Sequence, residues 1–372
     1  MKMLLCLLAV SLTLAFLSEK YFPKNRIGEN GTCRVRLNLF FIAMVVILGF
    51  ACGLRTDYND TTAYINGFRN APLPMEYIKG QPNLLGNPAY YIFQSFFRHH
   101  LSDNYHVYFT VVALFCMASF LRFLRRYSEN FIFSVLMFFC LGLYVFCFAA
   151  TKQCIGMALL TYSVPLLLKR RWVGFYLVVL LAALFHTYAL VFVILPLFLQ
   201  KPWTAVTYLT VAATVLVLFT FEETITMFLD RAEDFGKHIA EEEVFDNNSI
   251  NIFRVAVFSV PPVIAFVFRR RLWPLMEPRH CLMINMSILS VLVMSLGLVS
   301  AANLFGRCAY YFEIGAMVAL PWMLDKLFSH RAVKYVSALA AVCYLGFFLY
   351  DIRNFSEWHS GIGLIEFVES MF

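Results

Sequence analysis

Long apolar runs, separated by short basic clusters, constrain this chain more than any other feature of its sequence. A helix needs about 20 apolar residues to cross the hydrocarbon core of a bilayer, and runs such as 130–150 and 281–301 reach that length. Of the 372 residues, 61% are hydrophobic and 14% are charged, whereas soluble domains contain about 45–50% apolar residues. Mean hydropathy is +0.71. The sequence therefore predicts an all-α integral membrane protein.

Twelve spans are predicted on this length criterion, within one polytopic domain covering residues 1–372, and a count of ten to twelve fits the run lengths. The sixth and seventh runs are short, which also fits a broken or re-entrant pair, and His186 lies between them. Residues 1–17 lack a small-x-small cleavage site, so they are predicted to form a first helix. The predicted spans are 3–17, 37–54, 106–121, 130–150, 155–168, 172–185, 187–199, 203–221, 251–268, 281–301, 308–324 and 333–350.

Basic residues divide the connections between these spans into two sets. Cytoplasmic loops carry an excess of lysine and arginine, so the basic set is predicted to face the cytoplasm and both termini to face outward. This clustering accounts for the net charge of +7 without a nucleic-acid partner. The basic set consists of Lys20, Lys24, Arg26, Arg34, Arg36, Arg122, Arg125, Arg126, Lys169, Arg170, Arg171, Lys201, Arg269, Arg270, Arg271, Arg279, Lys326, Arg331 and Lys334.

The two long connections, 55–105 and 222–250, fall on the opposite, outer side. The first combines prolines with aromatic rings, which suits either a rigid surface that stacks on sugars or an interfacial anchor. The second is acidic and includes an amphipathic helical pattern, typical of a solvated face or of a lid over a site. The prolines and rings of the first connection are Pro72, Pro74, Pro82, Pro88, Tyr58, Tyr64, Phe68, Tyr77, Tyr90 and Tyr91.

Four cations depart from this charge pattern because they lie at the outer ends of apolar runs: Arg55, Lys152, Arg307 and Arg254. Each alone is explained by a side chain that snorkels to the interface. Ionisable groups at membrane depth are costly, however, and several together with His186 indicate a site. A lipid-linked pyrophosphate would use such a set, since arginine forks and lysine charges stabilise phosphate oxygens where water is excluded.

A proton acceptor is required if a sugar hydroxyl attacks the carbon that bears the pyrophosphate. His186 titrates near neutral pH, and Asp57, Asp60 and Glu313 are further candidates. The alternatives are a neutral imidazole bonded between helices for His186 and neutralisation of a nearby cation for Glu313. No Walker A, Gly-x-Ser-x-Gly, His-Glu-x-x-His or Cys-x-x-Cys motif occurs, so ATP-driven transport, esterase chemistry and a zinc site have no local support.

Several short segments, taken in order, resemble EpsG-like, Wzy-type polysaccharide polymerases. Each segment is short, and only their combination is specific. The similarity covers about residues 37–325. The segments are "GLRTDYNDTTAY" (53–64), "RRYSEN" (125–130), "TKQCIGMALL" (151–160), "KRRWVGFYLVVLLAALFHTYAL" (169–190) and "GRCAYYFEIGAMVALP" (306–321).

The first part of the resemblance concerns the outer connection and the helix that follows. The family has an arginine, a Gly-Thr-Asp element and a tyrosine, which correspond to Arg55, Asp57 and Tyr64, with the glycine missing. Lys152 and Gln153 stand where the family has an arginine–glutamine pair. The charge is kept there, but the planar fork that contacts phosphate is lost.

The second part of the resemblance concerns later motifs. His186 matches the family histidine, although Tyr188 is bulkier than the small residue expected. Arg307, with Tyr310 and Tyr311, matches the late arginine–aromatic element.

The resemblance implies a membrane glycosyltransferase of GT-C-like architecture in the bacterial cytoplasmic membrane, with its site facing the periplasm or cell exterior. Such an enzyme joins oligosaccharide repeat units carried on undecaprenyl pyrophosphate, with inversion and without a metal or another cofactor. Its partners would be the lipid-linked donor and acceptor, membrane lipid and a chain-length regulator. The implied residues are His186, Asp57 and Glu313 for catalysis, Arg55, Lys152, Arg307 and Arg254 for pyrophosphate, and Tyr64, Gln153, Tyr310 and Tyr311 for sugar.

Three other functions remain open at the level of sequence. A glycan ligase uses the same donor and leaving group. A flippase or transporter of lipid-linked sugars would show repeat-related halves and binding residues near the midplane, which this sequence does not display. A membrane O-acetyltransferase would need an acyl donor from the cytoplasm.

Overall fold

The computed structural model describes residues 2–23, 38–80, 83–234 and 248–353, and within these ranges it contains helices and no strand. The apolar runs predict this all-helical class. Four basic residues (Lys24, Arg26, Arg34 and Arg36), Pro82 and residues 235–247 of the acidic connection lie outside the described residues.

The helices follow the apolar runs with breaks that the run lengths do not show. The first half contains α1 (Lys2–Tyr21), α2 (Leu39–Gly53), α3 (Thr61–Arg69), α4 (Pro74–Lys79), a 3₁₀ turn (Leu84–Gly86), α5 (Pro88–His100), α6 (Tyr105–Tyr127), α7 (Phe131–Cys140), α8 (Leu143–Ala149) and α9 (Thr151–Leu168). The second half contains α10 (Trp172–Phe185), a 3₁₀ helix (Thr187–Phe198), α11 (Ala205–Phe219), α12 (Phe221–Asp234), α13 (Ile252–Phe258), α14 (Val260–Val267), α15 (Arg269–Leu272), a 3₁₀ turn (Trp273–Leu275), α16 (Pro278–Leu296), α17 (Ala302–Leu327) and α18 (Ala332–Asp351).

Four of the described helices are long and apolar enough to cross a membrane: α1, α6, α16 and α18. The number becomes six if two bent pairs, α7 with α8 and α11 with α12, each count as one span. The first pair bends by 47° at Gly142, whose φ of 90° lies in the left-handed region. These findings describe a helical membrane protein with four to six candidate spans, and the count of twelve stays a prediction.

The chain forms two compact units. Unit 1 comprises residues 1–163, 180–187 and 341–372, and unit 2 comprises residues 164–179 and 188–340.

In unit 1, α2 approaches α6 closely because two glycines lie four residues apart in "GFACG". A Cβ atom at Gly49 would lie 2.6 Å from Leu114 Cδ2, and one at Gly53 would meet the backbone of Thr110. Small residues at this spacing let helix backbones approach each other inside a bilayer. Neither the charge pattern nor the lengths of the apolar runs predict this contact.

Helix α1 is attached to the same unit by a buried arginine of α6. Arg125 donates from Nη1 to Ser18 Oγ at 2.6 Å and from Nη2 to the Phe22 carbonyl at 2.8 Å. Its guanidinium carbon lies 5.5 Å from the ring centre of Phe41. The charge pattern places Arg125 among solvated loop residues, but the side chain is only 1% exposed, because the terminal turns of α1 and the ring of α2 cover it.

In unit 2, α16 and α17 form the main helix pair. Gly315 permits their contact, since a Cβ atom there would lie 2.5 Å from Met286 Cβ. Helix α12 packs an apolar face, Phe221, Ile225 and Leu229, around the start of α17 at Phe305. The acidic connection thus contains the amphipathic helix that its pattern predicts, and the lid role stays a prediction.

We expect Gly53→Ala to destabilise the protein in detergent by about 1–3 kcal/mol, the usual effect of overpacking. Gly346→Ala is the matched control because a Cβ at Gly346 meets nothing within 4 Å, and alanine stabilises a helix by up to about 1 kcal/mol relative to glycine. Thermal unfolding of the purified variants checks both changes. Equal unfolding midpoints for the two variants would contradict the close approach of α2 and α6.

Candidate functional site

Helix α5, in the predicted outer connection, is the centre of the candidate site in unit 1. It begins at Pro88 directly after Asn87, whose φ of 62° is left-handed. Three predicted site residues lie on, or next to, elements that contact α5: Tyr64 from α3, Lys152 from α9 and His186 after α10.

Lys152 is held by two tyrosines of α5. Its half-buried Nζ donates to the Tyr91 hydroxyl at 3.3 Å and lies 5.6 Å from the ring centre of Tyr90 and 5.3 Å from that of Tyr91. Among the described residues, no carboxylate oxygen comes within 4.0 Å of this ammonium. A lysine has three donors, so this group has donor capacity and uncompensated charge for an anion.

The tyrosines around this ammonium form a connected aromatic group. Tyr64 packs edge-on against Tyr90 with ring centres 6.2 Å apart, and Tyr77 lies 5.6 Å from Tyr91. Tyr90 is buried, whereas Tyr64, Tyr77 and Tyr91 are each half-buried. Burial raises the pKa of the Tyr90 phenol well above its usual value, so that the phenol stays protonated at neutral pH. The four rings therefore pack against one another, and three of them still expose part of their surface.

Arg55 follows α2 and is only 2% exposed. It donates from Nε to Thr61 Oγ1 at 3.2 Å, from Nη1 to the Cys52 carbonyl at 2.9 Å and from Nη2 to Thr151 Oγ1 at 2.6 Å. Its guanidinium carbon lies 4.4 Å from the ring centre of Phe109. The arginine thus connects the start of α3 to the first residue of α9.

The space beside Arg55 is small. A cavity of about 10 Å³ is lined by its guanidinium, by Thr151 and by cysteines that include Cys116 and Cys154. A volume of this size accommodates a single water molecule. A phosphate group does not fit there.

Asp57 and Gln153 are two further predicted site residues of unit 1. Asp57 is exposed, and its Oδ1 accepts a hydrogen bond of 2.7 Å from the Tyr58 amide. Tyr58 and Asn59 both have positive φ angles, so Asp57 stabilises a tight turn. Gln153, which follows Lys152, is 1% exposed within α9.

His186 occupies the break between α10 and the long 3₁₀ helix, and it is 9% exposed. Its amide donates to the Ala182 carbonyl at 2.9 Å and so completes α10. The next residue, Thr187, is bonded to the outer connection: its amide donates to Asn87 Oδ1 at 2.9 Å and its hydroxyl to the Leu85 carbonyl at 2.6 Å. We call this contact the Asn87–Thr187 clasp. It fixes the start of α5 beside the histidine.

Unit 2 holds a second candidate group, made by α13 and α17. Arg254 donates from Nη2 to the Tyr310 hydroxyl at 2.7 Å, and its guanidinium carbon lies 5.8 Å from that ring centre. Arg307 lies on the same face of α17 as Tyr310 and Tyr311, because residues three and four positions apart are neighbours on a helix. Arg254, Arg307 and Tyr310 are half-buried, and Tyr311 is 2% exposed.

Glu313 lies further along α17 and is fully buried. A charged carboxylate at that depth is costly unless neighbouring groups stabilise it. Its position three residues after Tyr310 places it beyond the Arg254–Tyr310 contact, toward the interior of the helix pair.

The structure therefore divides the predicted site residues between two groups, and it adds residues that the sequence analysis does not assign. Thr151 bonds to Arg55 and Thr187 bonds to Asn87, and each partner precedes its threonine by about a hundred positions. An Asn-Pro dipeptide at 87–88 marks a turn, which is the one local signal for the clasp. In the sequence, nothing distinguishes Tyr91 from the other rings of the first outer connection.

The clasp predicts a specific change in local stability. Thr187→Val removes the hydroxyl donor while keeping the side-chain shape, so we expect amide hydrogen exchange of residues 84–100 to become about ten-fold faster, as expected for the loss of such a bond. Thr187→Ser should retain near-normal exchange. Thr210→Val is the matched control, since the Thr210 hydroxyl donates only within its own helix, to the Val206 carbonyl. Unchanged exchange in Thr187→Val would show that the clasp does not hold this segment.

Comparison with known proteins identifies the family of this chain. No curated protein and no solved structure matches the chain. The model of the EpsG family matches residues 38–365, a range that includes every predicted site residue and leaves α1 outside. The match confirms the resemblance that the short motifs indicate. Because it covers most of the sequence, the chain belongs to the EpsG family.

Proposed function

We propose that this EpsG-family membrane protein joins oligosaccharide repeat units, carried on undecaprenyl pyrophosphate, into a surface polysaccharide. The growing chain is the donor, and a hydroxyl of the incoming repeat unit attacks the carbon that bears the pyrophosphate. The new glycosidic bond forms as the bond to the pyrophosphate oxygen breaks. Attack from the opposite face inverts the configuration at that carbon.

The observation that carries this proposal is the setting of Lys152. Its ammonium is positioned by Tyr91, flanked by two rings and without a carboxylate partner among the described residues. A cation beside half-buried aromatic rings suits a ligand that has both an anionic group and sugar faces. A sugar linked to pyrophosphate has both.

The family motif implies that Arg55 binds pyrophosphate, but its contacts support a different proposed role. Its donors bond to Thr61, Cys52 and Thr151, and the adjoining cavity is too small for phosphate. In the proposed mechanism Arg55 is a positioning residue, because it fixes the residue that precedes Lys152.

His186 is the proposed base or phosphate ligand of unit 1. It lies at a helix break that the clasp holds against α5, the helix that also holds Lys152. Asp57, the other candidate of this unit, is exposed and bonded to its own turn, so His186 is preferred. Tyr64 and Gln153 complete the proposed sugar-binding residues of this unit.

Unit 2 contributes the Arg254–Tyr310 pair, Arg307 and Tyr311 to the proposal. Donor and acceptor each carry a pyrophosphate, which a cation–tyrosine group of this kind is suited to bind. Fixed cations in an apolar setting stabilise the charge that develops on a departing pyrophosphate. Glu313, fully buried further along α17, is the third proposed catalytic residue.

The proposal places the reaction at the outer leaflet of the bacterial cytoplasmic membrane, in a polytopic chain of about twelve spans with GT-C-like architecture. The basic connections support this orientation, since the positive-inside rule puts them in the cytoplasm. The 55–105 connection, which carries α5, then faces outward.

The first test is polymerisation in vitro. Purified protein with its lipid-linked repeat unit should give a ladder of products on a gel, and Lys152→Ala should reduce the rate by about a hundred-fold, as for loss of a group that stabilises developing charge. Lys152→Arg should keep most of the activity, because the charge is retained. Lys79→Ala, an exposed lysine of the same connection, is the control. Absence of a ladder from folded wild-type protein would refute the polymerase proposal.

A second test concerns the group in unit 2. Arg307→Ala should abolish the ladder. Arg254→Gln and Tyr310→Phe should each slow polymerisation, and the double variant should be little slower than the single variants, because both remove the same hydrogen bond. Fully additive rate losses would contradict a shared role. Transfer of intact polymer from its carrier to another acceptor, without elongation, would identify a ligase instead.

A further inference from the structure

One end of unit 2 carries a group of cations and tryptophans that the proposed reaction does not use. We call it the basic–aromatic patch. It consists of Lys201, Trp203, Arg269, Arg270, Arg271 and Trp273.

The patch is rigid because its two tryptophans bond to backbone carbonyls. Trp273 Nε1 donates to the Pro202 carbonyl at 3.0 Å, and Trp203 Nε1 donates to the Pro262 carbonyl at 3.2 Å. The Trp203 ring also packs against Phe266, with ring centres 4.9 Å apart. These bonds bring the segment around residue 202 next to α15.

Asn285 of α16 fixes the same segment from the other side. Its amide nitrogen donates to the carbonyls of Phe198 and Gln200 at 2.7 and 2.8 Å. Lys201 therefore extends from a backbone that three helices hold in place, and the patch does not depend on a loose loop.

The cations of the patch are not neutralised within the described residues. Arg269 bonds to the Phe266 carbonyl and lies over its ring, with 4.6 Å from the guanidinium carbon to the ring centre. Arg270, Arg271 and Lys201 are exposed and have no carboxylate partner within 4.0 Å.

Two carboxylates that follow in the same unit, Glu277 and Asp325, already have partners. Glu277 pairs with Arg279 at 3.0 Å, and Asp325 pairs with Lys326 at 2.8 Å. The patch therefore keeps about four positive charges that nothing in the described structure offsets.

The patch also adjoins an exposed apolar surface. On α14, Val263 is 53% exposed, Phe266 38% and Val267 59%, and the three arginines follow immediately. A helical segment that passes from exposed apolar side chains to arginine and tryptophan within two turns is typical of the boundary between acyl chains and headgroups.

We propose that the basic–aromatic patch binds the phosphate headgroups of anionic phospholipids. Basic clusters next to a membrane helix attract anionic headgroups, and arginine binds phosphate oxygens through two parallel hydrogen bonds. The positive-inside rule alone explains why arginines occur here, but it acts during insertion. It predicts no lipid preference of the folded protein, and this difference makes the proposal testable.

The experiment measures lipid retained by the full-length protein in native mass spectrometry, after exchange into detergent with equimolar phosphatidylglycerol and phosphatidylcholine. Wild-type protein should retain phosphatidylglycerol at least ten-fold in excess. Arg270→Gln with Arg271→Gln should lower that excess about ten-fold or more, since each basic side chain near an anionic surface contributes roughly a five-fold factor. Arg270→Lys with Arg271→Lys should lose less, because the charge is kept.

The matched control is Arg331→Gln with Lys334→Gln, which removes the same charge from exposed residues elsewhere in unit 2. This variant should bind phosphatidylglycerol like wild type. Equal losses in both glutamine variants, or no preference in the wild type, would overturn the proposal. Thermal unfolding of each variant in phosphatidylcholine alone verifies folding, and the result is independent of polymerase activity.

Discussion

The buried guanidinium of Arg55 is the charge around which unit 1 is organised. A charged group in an apolar interior is tolerated only when hydrogen bonds and nearby dipoles replace its hydration. No carboxylate of the described residues lies within 4.0 Å of Arg55, so neutral acceptors on α2, α3 and α9 and the ring of Phe109 do this. Because each acceptor belongs to a different helix, the requirement to solvate one charge fixes three helix ends together.

Lys152 follows Thr151, a hydrogen-bond partner of Arg55, but its own charge is much less fully solvated by the protein. Its ammonium has one hydroxyl acceptor and two ring faces, which together satisfy less of its donor capacity than Arg55 achieves. Because its donors are used within the protein, Arg55 stabilises the fold. Lys152 keeps donors that are suited to bind a ligand. The two are adjacent, since Arg55 bonds to Thr151, and this adjacency gives Lys152 a fixed position without occupying its charge.

The sequence predicts the helical class and the segments that contain the candidate site residues, but not the environment of each residue. Arg55 and Lys152 both lie at the ends of apolar runs and look equivalent by hydropathy, yet one is buried and the other half-buried. Burial depends on which helices pack nearby, and the run pattern does not contain that information. The Asn87–Thr187 clasp joins residues a hundred positions apart, which no local pattern reveals. The close contact of α2 and α6, by contrast, has a local signal in the spacing of Gly49 and Gly53, which the search for charged and polar motifs overlooks.

The break at His186 coincides with a change of helix type from α to 3₁₀. The 12 residues Thr187–Phe198 form a 3₁₀ helix, which rises about 2.0 Å per residue and so extends roughly 24 Å, whereas an α-helix of that length extends roughly 18 Å. The 3₁₀ form therefore makes a short apolar run longer, with poorer hydrogen-bond geometry. A transition from α to 3₁₀ geometry interrupts the regular bonding at the junction, and there Thr187 bonds to Asn87 and Leu85 instead. The change of helix type and the clasp therefore occur at the same point of the chain, and the imidazole of His186 lies at this junction.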